Sequence, residues 1–196
     1  MYSFIAVSLL CLFNPFIELW VGSEYLFEFE VVCIIVINFY ITGMRKSVLT
    51  FREASGLFYK DRWKAVFEAI INLVASIILA IYFGVFGVFL GTFISSVTVC
   101  VWVEPLILYK YGFKEKLIEY FKLYFMFAIV TVLSCALTYY LCSFITFGRW
   151  ISLFVKAFIC LIVPNTINII LFRNTDSYQY FKNLIKKIIK KIRRKK

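Results

Sequence analysis

Four ionisable side chains interrupt the long apolar runs of this sequence, and they are the residues best placed to do chemistry. They are Glu18, Glu68, Glu104 and Lys156. In an apolar medium, each is costly unless it faces a cavity or a partner of opposite charge. Glu68 follows Lys64 by four residues, and Glu104 lies about as far from the end of its own run, so we expect both carboxylates near one surface. They are candidates for a salt bridge with Lys64 or Arg62, for side chains that extend to the membrane interface, or for a gate or proton-coupling pair.

Two further candidates lie in the first and last apolar runs. Glu18 and Lys156 have opposite charges and are predicted nearer the opposite surface, where they are candidates for a pair between the two runs. Pro164 lacks a backbone N–H and is followed by Asn165. This step predicts either a polar break in the last helix or a simple packing kink.

A polar stripe precedes the first strongly basic segment. Asn38, Thr42, Arg45, Leu49 and Arg52 follow one another at spacings of 4, 3, 4 and 3, which places them on one face of a helix. The pattern predicts a stripe lining a water-filled vestibule. The alternative for Arg45 and Arg52 is positive charge that only sets topology.

The elements that must position these residues are membrane helices. The chain is 63% hydrophobic with a mean hydropathy of +0.88, far more apolar than a soluble domain of 196 residues. We predict an all-α polytopic integral membrane protein in which residues 1–172 form one six-helix lobe. The predicted spans are 1–21, 31–54, 65–83, 85–108, 124–142 and 150–172. Gly87, Gly91 and Ser95 form a small face after the FGVFG turn and predict close helix packing.

Charge predicts the orientation of the spans. Six basic residues lie between Arg45 and Lys64, four lysines between Tyr109 and Lys122, and ten basic residues after Phe172. The intervening loops at Glu24, Phe86 and Thr146 carry almost none, so the positive-inside rule places both termini in the cytoplasm.

The last segment, 173–196, is predicted to be a basic amphipathic tail. Apolar and basic residues alternate at helical spacing over 178–196, which predicts binding to anionic lipids of the inner leaflet. Nucleic-acid binding is not expected, because no aromatic stacking or recognition motif accompanies the charge. Binding of a calmodulin-like partner fits the pattern less well.

Metal and redox chemistry are not predicted. The sequence has no histidine, and its six cysteines lie singly in apolar runs, where we expect them to act as small packing residues. We therefore predict no metal site and no cofactor.

The chain from Gly43 to Phe113 resembles the second half of bacterial oligosaccharide flippases, the polysaccharide transporter branch of the MATE-like superfamily. The matching residues are Gly43-Met44-Arg45, Phe51-Arg52, Ser55 to Phe58, Lys60-Asp61-Arg62, Glu68 to Leu73, Phe83 to Thr92, Glu104-Pro105 and Tyr109 to Phe113. A weaker likeness extends from Ile5 to Leu171. The family resemblance implies the second of two six-helix lobes around a central cavity in the bacterial plasma membrane.

The same resemblance implies transport of undecaprenyl-diphosphate-linked oligosaccharide for O-antigen, capsule or exopolysaccharide assembly. Arg45 and Arg52 are then the candidates that attract the diphosphate. These 196 residues resemble the second lobe alone, so the alternatives are a truncated, non-transporting remnant or a lobe that works with a separately encoded first lobe. An enzyme, such as a membrane glycosyltransferase or acyltransferase, is not expected, because no loop carries a carboxylate cluster or a His-Asp pair.

Overall fold

The computed structural model describes residues 1–145, 148–175, 178–180, 182–184 and 187. The described residues contain helices and no strand, which confirms the all-α prediction. The helices are α1 (Tyr2–Trp20), α2 (Phe29–Ala54), α3 (Lys64–Ser95), α4 (Val101–Ile107), α5 (Leu117–Ser143) and α6 (Arg149–Phe172). Five helical segments are long and apolar enough to cross a membrane: α1, α2, the 50-residue run Lys64–Phe113, α5 and α6.

The third of these segments folds back on itself at Gly84. This residue has φ 56° and ψ −133°, a conformation that only glycine adopts without strain. Across the turn, the Asn72 amide donates to the hydroxyls of Thr92 at 3.4 Å and Ser95 at 3.2 Å. The parts of α3 before and after Gly84 therefore pack as an antiparallel hairpin, in the place where the FGVFG sequence predicts a turn.

The two helical arms of this hairpin pack so closely that their backbones are in contact. A Cβ atom added to Gly87 would lie 2.0 Å from the carbonyl oxygen of Leu79, and one added to Gly91 would lie 2.6 Å from the backbone nitrogen of Ser76. The predicted small face is confirmed as a packing surface, and it lies inside the hairpin.

The basic ends of α2 and of the hairpin lie together. α2 ends at Ala54, as predicted, and Gly56 at φ 66° leads into a short 3-10 turn, Leu57–Asp61. After the hairpin, the chain runs through a π-helical segment, Ser96–Cys100, then α4 and a second π-helical segment, Leu108–Phe113. The helical run thus ends at Phe113, five residues after the predicted end at 108. The ammonium of Lys60 lies 5.1 Å from the ring centre of Tyr111, which joins the two basic turns.

Packing divides the helices into two neighbouring groups. α1 packs against α5, α6 and α2, whereas α2 also packs against α3 and α4. Large apolar side chains remain exposed on the outer surfaces, as on Ile81 at 77% and Ile118 at 70%. Such surfaces require lipid, which indicates a membrane protein.

The helices pass two of their prolines without a break. Pro15 lies inside α1 and Pro164 inside α6, and both helices are continuous across them. Of the two alternatives at Pro164, the continuous α6 shows no break of the helix. The predicted amphipathic helix over 178–196 lies mostly outside the described residues.

Candidate functional site

A buried carboxylate, Glu104, is the centre of a charge cluster that joins three helical segments. Its side chain is fully buried. The Arg45 guanidinium of α2 donates from Nε to Oε2 at 2.9 Å and from Nη2 to Oε1 at 2.6 Å. The Lys64 ammonium, from the first residue of α3, donates to Oε1 at 2.5 Å. This forked arrangement uses the geometry in which arginine binds an oxyanion most strongly.

Glu68 closes the cluster on its more open side. Its Oε2 lies 3.4 Å from Lys64 Nζ, and its Oε1 lies 3.8 Å from Arg45 Nη1. The Glu68 side chain is 29% exposed, whereas Arg45 and Lys64 are 11% and 9% exposed. Two cations and two carboxylates balance, but the contacts of Glu68 are longer than those of Glu104, and its side chain is more exposed. Glu68 is therefore the more weakly held of the two carboxylates.

Local structure explains how the chain presents these side chains. Arg45 lies within α2 about two turns before its end, while Lys64 and Glu68 are one turn apart on α3. Glu104 lies in the seven-residue α4 between two π-helical segments, and Pro105 follows it. A π-helical segment shifts the register of the residues after it, and such segments recur at functional sites. Here the register directs Glu104 toward α2 rather than toward lipid.

The other members of the predicted stripe on α2 also face neighbouring segments. The Asn38 amide donates to the carbonyl of Phe89 at 2.9 Å, and the Arg52 guanidinium donates to the buried carboxylate of Asp61. Thr42 is exposed and, with Asn38, lines a small cavity of about 290 Å³ beside Lys46. Three of the four polar residues in the stripe, Asn38, Arg45 and Arg52, are thus bonded within the chain, and the vestibule stays a prediction.

Glu18 has a different partner from the one predicted. Its carboxylate lies 3.4 Å from Arg149 Nε, so α1 and α6 are joined by a pair that does not include Lys156. The pair is exposed, at 35% for Glu18 and 72% for Arg149. Lys156 lies about two helical turns further along α6 than Arg149. Arg149 is the first residue of α6, and Glu18 lies two residues before the end of α1. The two side chains therefore lie at the same end of the packed helices.

Asn165 uses its amide on its own helix. It donates to the carbonyl of Leu161, four residues earlier, at 2.7 Å, and its side chain is exposed. The carbonyl that Pro164 leaves without its helical donor is that of Cys160, so this bond does not replace the missing one. Its predicted role in gating has no further support from its surroundings.

Sequence reasoning found Arg45, Glu68 and Glu104 but missed how they combine. It offered Lys64 or Arg62 as partners of the carboxylates, and the structure uses Lys64 and Arg45. Asp61 was missed as the partner of Arg52. The available signal was charge complementarity, because a buried carboxylate requires a nearby cation.

The cluster joins three helical segments through ion pairs. Its two cations are held at fixed positions, and its two carboxylates balance their charge. Comparison of the chain with protein families, curated proteins and solved structures finds no match.

Proposed function

We propose that this chain is a six-span lobe of a flippase that moves undecaprenyl-diphosphate-linked oligosaccharide across the bacterial plasma membrane. The lobe acts with a first lobe that completes the cavity, and both of its own termini are cytoplasmic. The observation that carries the proposal is the pair of cations, Arg45 and Lys64, held beside a carboxylate that an incoming anion can replace.

The hairpin at Gly84 supports six spans. It divides the 50-residue apolar segment into two antiparallel parts. The part before Gly84 and the part after it, which includes α4, are each long enough to cross the ~30 Å hydrocarbon core. Together with α1, α2, α5 and α6, these two parts make six spans. The turns at 55–63 and 114–116 then lie on one side with most of the loop lysines and arginines, which the positive-inside rule makes cytoplasmic.

The charge cluster supports an anionic head group as the cargo. Arg45 lies near the basic end of α2, where a head group enters from the cytoplasm. A diphosphate oxygen that displaces Glu68 gains a free Nη1 donor of Arg45 and a donor of Lys64, while Glu104 keeps both cations in place. Arg52, which is held by Asp61, orders the 57–61 turn beside this entrance.

The first test is lipid binding to the purified chain in neutral-lipid nanodiscs. We expect undecaprenyl diphosphate to bind more tightly than undecaprenol. Glu68→Gln should tighten binding of the diphosphate, because it removes the competing carboxylate. Arg45→Lys should weaken it about tenfold, because charge-assisted hydrogen bonds contribute roughly 1.5–3 kcal/mol and the lysine loses the fork. Glu115→Gln, at an exposed carboxylate near the same end, is the matched control.

The second test is transport. The lobe is joined to a matching first lobe and expressed in a flippase-deficient strain, with surface polysaccharide scored at equal protein level. Arg45→Lys should reduce polysaccharide and Glu115→Gln should not. Equal binding of undecaprenol and its diphosphate, or full polysaccharide from the Arg45→Lys variant, would remove the cluster from the transport path.

A further inference from the structure

Three cysteines from three different helices meet in the interior, away from the charge cluster. Cys11 comes from α1, Cys142 from α5 and Cys160 from α6, and their sulfur atoms all lie within 4.8 Å of one another. We call these residues the thiol trio. Each is at least 95% buried, and Val7 completes their apolar surroundings. The sequence concealed the trio, because its members are isolated along the chain and meet only through packing.

We propose that the thiol trio is a binding site for a soft monovalent ion, Cu(I). Thiolates select soft metals, and Cu(I) accepts two or three sulfur ligands without requiring water or oxygen. For metal–sulfur bonds of about 2.3 Å, three sulfurs around one ion are about 4 Å apart. The sulfurs of the trio thus reach this geometry by small rotations of their side chains.

Charge balance explains how an ion is tolerated in apolar surroundings. Cu(I) displaces the protons of two thiols, which pass to the buffer, and the third sulfur coordinates as the neutral thiol. The bound trio then has a net charge of −1, from one positive ion and two thiolates. The Lys156 ammonium lies on α6 one helical turn before Cys160, and a cation at this position offsets the negative charge of the bound trio.

The ligand set disfavours zinc. A closed zinc site takes four ligands, usually cysteine or histidine. The sequence has no histidine, and no carboxylate joins the trio among the residues that the structure describes. Cys135 packs against the same cluster, but its sulfur is not within 4.8 Å of all three. Cys142 is the penultimate residue of α5.

The experiment uses the full chain, purified in detergent under reducing, anaerobic conditions. Cu(I) is titrated in competition with a chromogenic chelator, and Zn(II) is titrated in parallel. We expect one Cu(I) per chain, sulfur-only neighbours in X-ray absorption, and weaker retention of Zn(II). Cys142→Ser and Cys160→Ser should each lower the affinity for Cu(I) at least tenfold. Lys156→Met should lower it less. Binding to the wild-type chain should weaken as pH falls, because two protons compete with the ion.

Cys33→Ser is the matched control, since Cys33 is a half-buried cysteine outside the trio. Helix content from circular dichroism shows which variants remain folded, and absorption spectra of the wild-type chain report the ligands without any substitution. Oxygen or nitrogen neighbours in those spectra, an equal loss of affinity in Cys33→Ser, or Zn(II) retained as tightly as Cu(I) would each overturn the proposal.

Discussion

Removing Arg45 tests whether the charge cluster holds α2 against the hairpin. Glu104 is fully buried and accepts two hydrogen bonds from Arg45, at 2.9 and 2.6 Å. Loss of one partner from a buried ion pair costs about 3–5 kcal/mol, because a charge is left without compensation. Lys64 also donates to Glu104, at 2.5 Å, and should remain its partner when Arg45 is replaced. We therefore expect Arg45→Met to lower the free energy of unfolding by about 3 kcal/mol, at the lower limit of this range.

A double-mutant cycle separates pairing from packing. Glu104→Leu alone leaves two cations facing Glu68 and should also cost about 3 kcal/mol. The double variant, Arg45→Met with Glu104→Leu, keeps the Lys64–Glu68 pair, whose charges are balanced. We expect the loss of unfolding free energy in the double variant to be smaller than the sum of the two single losses by at least about 2 kcal/mol.

The assay is unfolding by SDS titration in mixed micelles, followed by circular dichroism. The matched control is Arg149→Met, which breaks a pair of the same chemistry with Glu18. Because the Arg149 side chain is 72% exposed, its loss should cost no more than about 1 kcal/mol. Equal costs for Arg45→Met and Arg149→Met, or additive costs in the cycle, would refute the reasoning.

Three further predictions concern the hairpin, the orientation and the tail. Gly87→Ala should lower the free energy of unfolding by roughly 1–3 kcal/mol, because its Cβ would meet the Leu79 carbonyl at 2.0 Å, whereas Gly148→Ala, with open space around it, should have little effect. Ser55→Cys should resist a membrane-impermeant thiol reagent in intact cells and react in inverted vesicles, so strong labelling in intact cells would reverse the orientation. A peptide of 178–196 should become helical on anionic vesicles at low salt and lose this binding at high salt, and a peptide that stays unstructured on them would contradict the amphipathic interpretation.

The helices themselves could be predicted from local patterns. The end of α2 at Ala54 and the turn beside Phe83 were read from a glycine, a change in periodicity and the length of the apolar runs. Each of these signals acts within a few residues of the feature that it determines. Two helix boundaries differ from the predicted spans by more than a turn: the run after Gly84 ends at Phe113 rather than at 108, through a π-helical segment, and α5 begins at Leu117 rather than at 124. Neither has a reliable local signal.

The candidate site could be predicted only in part. An ionisable residue in an apolar run has so high a desolvation cost that its type and position identify it as important, and this is how Glu68 and Glu104 were found. Their partners were harder to find. Arg45 is 59 residues from Glu104, and any basic residue near the same surface would satisfy the same sequence pattern.

The sequence by itself determined that the chain is helical, that it is too apolar for water, and where its basic segments fall. These properties follow from the composition and spacing of neighbouring residues. Only the tertiary structure decided that Arg45 meets Glu104, that Glu18 meets Arg149 and that the thiol trio assembles from α1, α5 and α6. Helical periodicity specifies which residues share a face but not which helix that face contacts, and that choice depends on the packing of all the helices together.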